Sequence, residues 1–341
     1  MDDSYYYNAV ALACGGDYVK IARAKKSRAS WQDAWKTSTE LGNINPEQAW
    51  DQLQKHGIAI CMRESNEFPA LLNEIHHPPF ALYIKGALPK LHALAIVGTR
   101  KATASGRATA EQFAESLAGA GWCITSGLAL GIDGAAHTGA LKAKGATVAV
   151  LACGLDEVYP SEHASLAARI ITEGGALISE YPIGSPCYQA RFLERNRIVS
   201  GLSLGALIIE APERSGSIAT ATFALQQNRD VFVIPGPVGH PNFSGSHALI
   251  KTGAALVTTP DDIRAAFGED VSPAKASTAK AAELSGDEAR IYEALKNSAA
   301  TATVDKLSEI VQLPSYAVSR ALTFMQLKGI IRECDGTYEL S

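Results

Sequence analysis

The chain has 341 residues, enough for one large domain with appendages or for two to three domains. Its 31 Lys and Arg are balanced by 35 Asp and Glu, which excludes a polybasic protein that holds polyanions by net charge alone. The six cysteines form no C-x-x-C pair, as expected of reduced thiols. No apolar run reaches the roughly 18 residues of a membrane span, and the acidic N-terminus lacks a signal-peptide pattern. The sequence therefore predicts a soluble, cytoplasmic protein with no membrane partner.

The first part of the chain is predicted to be a small helical domain, residues 1–62. Its helical segments are Tyr5–Ala13, Tyr18–Ala24, Ser30–Trp35 and Pro46–His56. A lead-in follows over residues 63–93. Two consecutive prolines, Pro78 and Pro79, forbid a helix there and favour an extended connector or an edge strand before Leu82.

Short apolar runs then alternate with helical stretches from Leu94 to about Phe267. The predicted strands are Leu94–Val97, Trp122–Thr125, Thr147–Leu151, Ala176–Ser179, Ala206–Glu210, Val231–Ile234 and Ala255–Thr258. Near-continuous apolar strands separated by helices indicate a parallel sheet that is covered on both faces. The predicted fold class of residues 63–267 is therefore α/β, with a doubly wound, mostly parallel sheet.

The last part of the chain has a different pattern. Residues 268–284 are small, polar and rich in Ala, Ser and Lys, which predicts a linker. Residues 285–341 then predict three helices and a hairpin at Asp335-Gly336, the arrangement of a winged helix. This segment has six basic and eight acidic residues, a poor electrostatic match for duplex DNA. We therefore favour a protein contact, or a degenerate module, over DNA for this domain.

Glycine turns follow the predicted strands one after another. They are Gly98-Thr99-Arg100, Ser126-Gly127 with Gly131, Gly154, Ser215-Gly216-Ser217, Pro235-Gly236 and Ser244-Gly245-Ser246. In open α/β sheets, ligands bind beyond the carboxyl ends of the strands, and the N–H groups of such turns and helix starts bind anions. We therefore predict one phosphate-binding rim, with Arg100 and Lys101 as basic donors.

The same turns exclude the common nucleotide cofactors. The stretch after Val97, GTRKATASG, lacks the dinucleotide spacing, and the chain has no P-loop motif. We expect no cofactor and no metal. Asp133 and His137 lie four residues apart on one helix face. They are either a general-base pair or half a metal site, or else a helix cap and a structural histidine, and we favour the second interpretation.

Three arginines and a glutamate are concentrated in Arg191–Arg197 (RFLERNR). Either Glu194 orients an arginine in an internal network, or the arginines contact the phosphates of a single strand without reading its sequence. Phe192 is correspondingly either a core residue or a platform on which bases stack.

These motifs together resemble one family, the DNA-processing protein A (DprA/Smf) family. The resemblance is strong over about residues 57–260. It rests on an ordered series: Phe68-Pro69-Ala70-Leu71-Leu72, Pro78-Pro79, Leu82-Tyr83, Ala95–Arg100, Ser126–Ala129, Gly131–Asp133, Ala136-His137, Ser179–Pro182, Arg195–Ile198, Ser215–Ser217, Pro235-Gly236, Leu249-Ile250 and Gly253-Ala254.

The resemblance implies an extended Rossmann-like domain between a helical domain of the sterile-alpha-motif type and a winged helix. It also implies a homodimer, formed through the Rossmann-like domain, that is not an enzyme. Such a protein binds and protects incoming single-stranded DNA and helps to load RecA in natural transformation. In this family the arginine of the Gly-Ser/Thr-Arg turn contacts DNA, which places Arg100 at the site. Leu130 stands where the family commonly has an arginine.

The rim and the resemblance together predict a DNA-binding set. Its members are Gly98, Thr99, Arg100, Lys101, Ser126, Gly127, Arg191, Phe192, Arg195, Asn196, Arg197, Ser215, Gly216 and Ser217. Two alternatives stay open. One is a phosphoribohydrolase-like enzyme in which Glu180 or Glu210 acts on a nucleotide glycosidic bond. The other is an interaction scaffold whose working surface is the winged helix.

Overall fold

A computed structural model describes residues 3–37, 44–271, 284, 286–297, 302–327, 330–334 and 336–340. Most of the predicted linker, residues 268–284, lies outside the described residues. The chain divides into two compact units, Met1–Ile263 and Arg264–Ser341. Within the described residues, no helix has both the length and the apolarity that crossing a membrane requires.

The seven strands predicted between Leu94 and Phe267 are all present, whereas the strand at Ala59–Met62 lies in the segment that was predicted to be helical. The strands are β1 (Ala59–Met62), β2 (Ala81–Gly86), β3 (Ala93–Val97), β4 (Cys123–Ser126), β5 (Thr147–Val150), β6 (Ala176–Ser179), β7 (Gly205–Ile208), β8 (Asp230–Val233), β9 (Ala255–Leu256), β10 (Ile331–Cys334) and β11 (Thr337–Leu340). The helices are α1 (Asp3–Ala13), α2 (Tyr18–Lys25), α3 (Trp31–Thr37), α4 (Pro46–Lys55), α5 (Ala70–Asn73), α6 (Ala104–Gly119), α7 (Ile132–Lys142), α8 (Ala164–Thr172), α9 (Gln189–Gly201), α10 (Gly216–Gln226), α11 (Ser244–Lys251), α12 (Pro260–Ala266), α13 (Gly286–Asn297), α14 (Val304–Val311) and α15 (Ser315–Leu327).

A nine-stranded sheet organises the first unit, in the order β1-β2-β6-β5-β4-β3-β7-β8-β9. The strands from β6 to β9 in this order are parallel, and β2 joins the β6 edge antiparallel, followed by β1. The chain starts the parallel part at β3 and then builds outwards in both directions. The crevice between β3 and β7 is therefore the topological switch point of the sheet. The mostly parallel α/β fold predicted from the sequence is confirmed.

The strands bury side chains on both faces of the sheet. In β5, Val148 and Val150 belong to one apolar cluster, whereas Ala149 and its successor Leu151 belong to another. This alternation follows from the period of two residues along a strand. Both clusters are covered by helices, so neither face of the sheet is exposed. The strands are therefore apolar throughout and do not alternate between apolar and polar residues.

The N-terminal helices share the second of these clusters. Trp31 is 1 % exposed, and its ring lies 4.9 Å from the ring of Tyr7 and 5.5 Å from that of Phe80. Tyr83 on β2 donates a hydrogen bond of 3.1 Å from its hydroxyl to Asn8 Oδ1. The boundary predicted at residue 62 thus falls inside one compact unit, because the helices cover the antiparallel edge of the sheet.

The second unit has the elements of a winged helix. Helices α13, α14 and α15 enclose an apolar core, and β10 pairs antiparallel with β11. Ala302 and Tyr338 exchange backbone hydrogen bonds of 3.0 and 2.8 Å, which add a bridge to the hairpin. The predicted turn residue Asp335 lies outside the described residues.

Trp31→Ala should destabilise the whole first unit. Removing a fully buried indole costs about 3–5 kcal/mol of unfolding free energy, and this indole is shared between the helices and the sheet edge. Urea unfolding followed by circular dichroism measures the loss, with the exposed Val19→Ala as a control expected to change little. A separate transition for residues 1–62, with the sheet unfolding at its original midpoint, would contradict the shared core.

Candidate nucleic-acid groove

A groove of about 1030 Å³ lies over the carboxyl ends of β3, β4 and β7. Its walls are the loops after those strands and the start of helix α9. Gly98, Gly127 and Gly216 line it, so three of the predicted glycine turns meet here. This is the switch-point crevice, and it is partly open to solvent. The predicted rim is therefore a groove at the centre of the sheet edge.

Two exposed arginines border the groove from different loops. Arg100 follows β3 and Arg214 follows β7. The guanidinium of Arg100 lies 4.9 Å from the centre of the Phe192 ring, in cation–π contact. The sequence analysis missed Arg214, although a basic residue directly before the Ser215-Gly216-Ser217 turn was a usable signal. Lys101 is also exposed on the Arg100 loop.

Aromatic side chains form one wall of the groove. Phe192 is half-buried on α9, and its ring lies 5.5 Å from that of Tyr159, with 53° between the ring planes. Tyr159 is 47 % exposed, and Leu193 beside Phe192 is 49 % exposed. The sequence analysis did not include Tyr159, because it lies in the loop after β5, far along the chain from the arginine-rich segment. Phe192 is thus at the groove surface and not in the core.

Arg195 is held inside the protein. It is 4 % exposed, and its Nη1 donates to Gly127 O at 2.7 Å and to Val150 O. Among the neighbouring charges, the carboxyl of Asp133 does most to favour the charged form of Arg195. Burial raises the pKa of the Asp133 carboxyl, and Arg195 acts in the opposite direction by favouring the charged form. Arg195 therefore joins the ends of β4 and β5 to helix α9 and forms the floor of the groove.

The other two predicted arginines also have protein partners. Arg197 is 9 % exposed and forms a 2.5 Å ion pair with Glu180. Arg191 donates to Gly15 O at 2.7 Å and to Pro186 O at 2.8 Å. The internal network is therefore the better interpretation of the segment, with one correction. Glu194 accepts from the Tyr181 hydroxyl at 2.8 Å, and Glu180 is the carboxylate that pairs with an arginine.

Several predicted contact residues are hydrogen-bonded within the protein and shape the groove from behind. Ser126 is fully buried and donates to Ile96 O at 2.6 Å. Thr99 is 9 % exposed, and its N–H donates to Glu210 O at 2.8 Å. Asn196 donates to Gly216 O at 3.1 Å. Ser215 caps helix α10 by accepting from the N–H of Ser217, which is buried. Of the predicted set, Arg100, Lys101 and Gly216 are exposed.

Two of the predicted glycine turns serve packing. A Cβ on Gly236 would lie 2.2 Å from the Phe243 ring, and one on Gly154 would lie 2.7 Å from Pro182 O. No larger residue fits at either position without displacing its neighbour. These glycines allow close approach of the chain to itself and not to a ligand.

Asp133 and His137 do not form a joint site. Asp133 accepts from the backbone N–H of Gly127 at 3.1 Å and thereby caps the turn before α7. His137 is fully buried, and its Nδ1 lies 2.7 Å from the Thr147 hydroxyl, which itself donates to Ile124 O. No group of three His, Cys, Asp or Glu side chains that could hold a metal occurs in the part of the chain that the structure describes.

Neither glutamate of the enzymatic alternative is available in the groove. Glu180 is 8 % exposed and paired with Arg197. Glu210 is fully buried and accepts hydrogen bonds from Thr103 and Asn242. Both carboxylates are therefore bonded within the protein, and neither lines the groove.

Comparison with known proteins identifies the family of this chain. The model of the family described as DNA recombination-mediator protein A matches residues 59–268, and that of the DprA winged helix domain matches residues 275–337. The chain belongs to the DprA/Smf family. The first match covers most of the chain and includes every residue of the groove. The fold and the winged helix implied by the resemblance are thereby confirmed.

Individual relatives agree with this assignment. The Smf protein of Escherichia coli is 45 % identical over 223 residues, which are 65 % of this chain and 59 % of that protein. The match thus spans less than two thirds of the length of that relative. The putative DprA of Mycobacterium tuberculosis H37Rv is 38 % identical over 97 % of this chain and 90 % of its own length.

Two solved DprA structures share the architecture. DprA from Streptococcus pneumoniae has a TM-score of 0.63 and 32 % identity, covering 76 % of this chain and 92 % of its own. DprA from Helicobacter pylori, described for its single-stranded DNA binding mode, has a TM-score of 0.55 and 27 % identity. It covers 62 % of this chain and 95 % of its own.

His137 should make the protein acid-sensitive. Burial, with smaller contributions from the charges of His163 and Arg195, lowers its pKa to about 3. Below its unfolded pKa of about 6.5, the unfolded chain binds a proton that the folded protein excludes, so stability falls as pH falls from about 6.5 towards 3. The slope is about 1.4 kcal/mol per pH unit.

Urea unfolding between pH 7 and pH 4.5 measures this slope. His137→Leu should flatten the dependence, whatever its effect on stability at pH 7, because leucine does not titrate. The same change at the exposed His76 should leave the slope as it is. An identical slope in the wild type and in His137→Leu would rule out the histidine as its source.

Proposed function

We propose that this protein binds single-stranded DNA along the groove between the β3 and β7 loops, without catalysing a reaction. The observation that carries the proposal is the placement of Arg100 and Arg214, both exposed, on two loops of the switch-point crevice. Guanidinium groups are planar donors suited to phosphate. Two of them along an open groove fit a continuous phosphodiester backbone better than a single small ligand.

The start of helix α10 supports the same proposal. Gly216 is exposed in the groove at the first turn of the helix, where N–H groups and the helix dipole favour an anion. A Cβ at Gly216 would meet no atom within 4 Å, so the space above this turn is open to a ligand. A phosphate here would lie on the same loop as Arg214.

The aromatic wall supplies the second half of single-strand recognition. Unpaired bases stack on aromatic rings with little regard to sequence, at about 1–3 kcal/mol per base. Phe192 and Tyr159 present such rings to the groove. Duplex DNA keeps its bases stacked on one another, so they are not available to stack on these rings. We therefore expect a preference for single strands over duplexes.

The biological role follows from the family and is part of the proposal. The relatives are named as DNA processing proteins, and the H. pylori structure concerns single-stranded DNA binding. We propose that this protein protects incoming single strands in natural transformation and recombination, helps to load RecA, and works as a homodimer formed through the Rossmann-like unit. Its place of action would be the cytoplasm. The winged helix would contact protein.

Arg100→Ala and Arg214→Ala should each weaken binding to an oligo-dT strand by about fivefold at moderate salt, equally for all sequences. Each should also reduce the slope of log affinity against log salt by about 0.7, since one phosphate contact fewer releases fewer counterions. Fluorescence anisotropy across a salt titration measures both effects. Assembly of RecA on the strand should decline with binding.

The exposed Arg23 on α2 gives a matched control, since Arg23→Ala removes the same charge away from the groove. Affinity and salt slope that stay unchanged in both groove variants would show that the strand lies elsewhere. Tighter binding of duplex than of single-stranded DNA would reject the proposal itself.

Tyr159→Ala should weaken binding of oligo-dT by about tenfold, as expected when one stacked base loses its ring. Tyr159→Phe keeps the ring and should bind as the wild type does. An abasic strand has the same phosphates and no bases, so Tyr159→Ala and the wild type should bind it equally. An equal loss on both strands would mean that Tyr159 acts on the backbone or on the fold and not on a base.

A further inference from the structure

One short segment, Asn242–Ser246, contacts both loops that carry the arginines of the groove. It joins the end of the loop after β8 to the first turn of α11, and it includes Ser244-Gly245-Ser246, which the sequence analysis assigned to the phosphate rim. Its polar side chains are bonded to the two loops. We refer to these five residues as the 242–246 segment.

Asn242 holds the Arg100 loop. Its Nδ2 donates to Lys101 O at 3.1 Å and to the Glu210 carboxylate at 2.8 Å. The same carboxylate accepts from the Thr103 N–H at 3.1 Å and from the Thr103 hydroxyl at 2.5 Å. Thr103 is also the N-cap of helix α6. The loop from Arg100 to Thr103 is therefore bonded to Asn242 at its middle and to the fully buried Glu210 at its end, and Asn242 is itself bonded to that acid.

The two serines hold the Arg214 loop. Ser244 Oγ accepts from the Glu213 N–H at 3.0 Å, and Ser246 Oγ accepts from the Ala211 N–H at 3.2 Å. The N–H of Gly245 donates to Ala211 O at 2.9 Å. A Cβ on Gly245 would lie 2.7 Å from Pro212 O, so glycine permits this close approach.

We propose that the 242–246 segment is a positioning element that sets where Arg100 and Arg214 stand relative to each other. The inference rests on the proposed function, since it concerns the arginines assigned to phosphate contact. A loop that is already ordered loses little conformational freedom when the DNA binds. The affinity of each arginine for phosphate therefore depends on the hydrogen bonds that order its loop. Glu210 acts in the same way, as an anchor for the Arg100 loop and not as a catalytic acid.

The hydrogen bonds to the two loops predict which pairs of substitutions are coupled and which are additive. Asn242→Ala should weaken oligo-dT binding by about fivefold in the wild type and hardly at all in Arg100→Ala, because both changes disable the same contact. Ser244→Ala should likewise weaken oligo-dT binding in the wild type and hardly at all in Arg214→Ala. The cross pairs, Asn242→Ala with Arg214→Ala and Ser244→Ala with Arg100→Ala, should be additive.

Amide hydrogen exchange gives a readout that needs no DNA. Asn242→Ala should speed exchange in residues 99–103 and leave the strands unchanged, whereas Ser244→Ala should speed exchange at Glu213. Thr252→Ala is the matched control, because this hydroxyl at the end of α11 donates to the Ala248 and Leu249 carbonyls of its own helix. If Asn242→Ala fails to fold, Asn242→Ser takes its place in every arm.

The outcomes separate the two proposals. A wild type that does not bind single strands overturns the proposed function, while faster exchange confined to the two loops would still support the positioning element. Binding that depends on Arg100 and Arg214 but not on Asn242 or Ser244 overturns the positioning element alone. Additive losses in all four pairs overturn it as well, since a general loss of stability would produce them.

Discussion

The shape of the groove depends on the hydrogen bonds that the buried guanidinium of Arg195 makes. This guanidinium reaches from helix α9 to carbonyl oxygens at the ends of β4 and β5, beside the carboxyl of Asp133. A charge withdrawn from water in this way is stable only when its donors are satisfied and an opposite charge is near. Carbonyls at the ends of two strands accept its hydrogen bonds and Asp133 on α7 supplies the opposite charge, so the floor of the groove is fixed to the sheet.

Buried and exposed charged side chains consequently have different roles in this protein. Arg195, Arg197 and Glu210 are each paired or hydrogen-bonded within the protein, and they determine where the loops run. Arg100 and Arg214 extend from those loops into solvent. A surface arginine is hydrated in the free protein, so a phosphate that binds it displaces water and the desolvation cost belongs to the binding step.

The same division explains why so many motifs of the family lie behind the groove. Ser126 donates to a strand carbonyl, and the carboxyl of Asp133 accepts from the N–H of Gly127. These residues maintain a crevice whose open side is formed by few side chains. An open crevice with arginines, a helix N-terminus and aromatic rings suits a flexible polymer, which is gripped at several points along its length.

The sequence by itself determined the order of strands and helices, the doubly wound class and the absence of dinucleotide and P-loop spacings. These features depend on local periodicity and on residues that are neighbours in the chain. It also predicted that Arg100 lies at the carboxyl edge of the sheet, where it borders the groove, because its turn directly follows a strand. The winged helix was predictable for the same reason, from helical periods and a hairpin signal.

Only the tertiary structure decided which arginines face the solvent. The carbonyl partners of Arg195 lie 68 and 45 residues away in sequence, at Gly127 and Val150, and no local pattern distinguishes a paired arginine from a free one. Tyr159 meets Phe192 across 33 residues of sequence, and Asn242 meets Lys101 across 141. These contacts are set by the order of the strands in the sheet, because that order brings loops that are distant in sequence to one edge of the sheet.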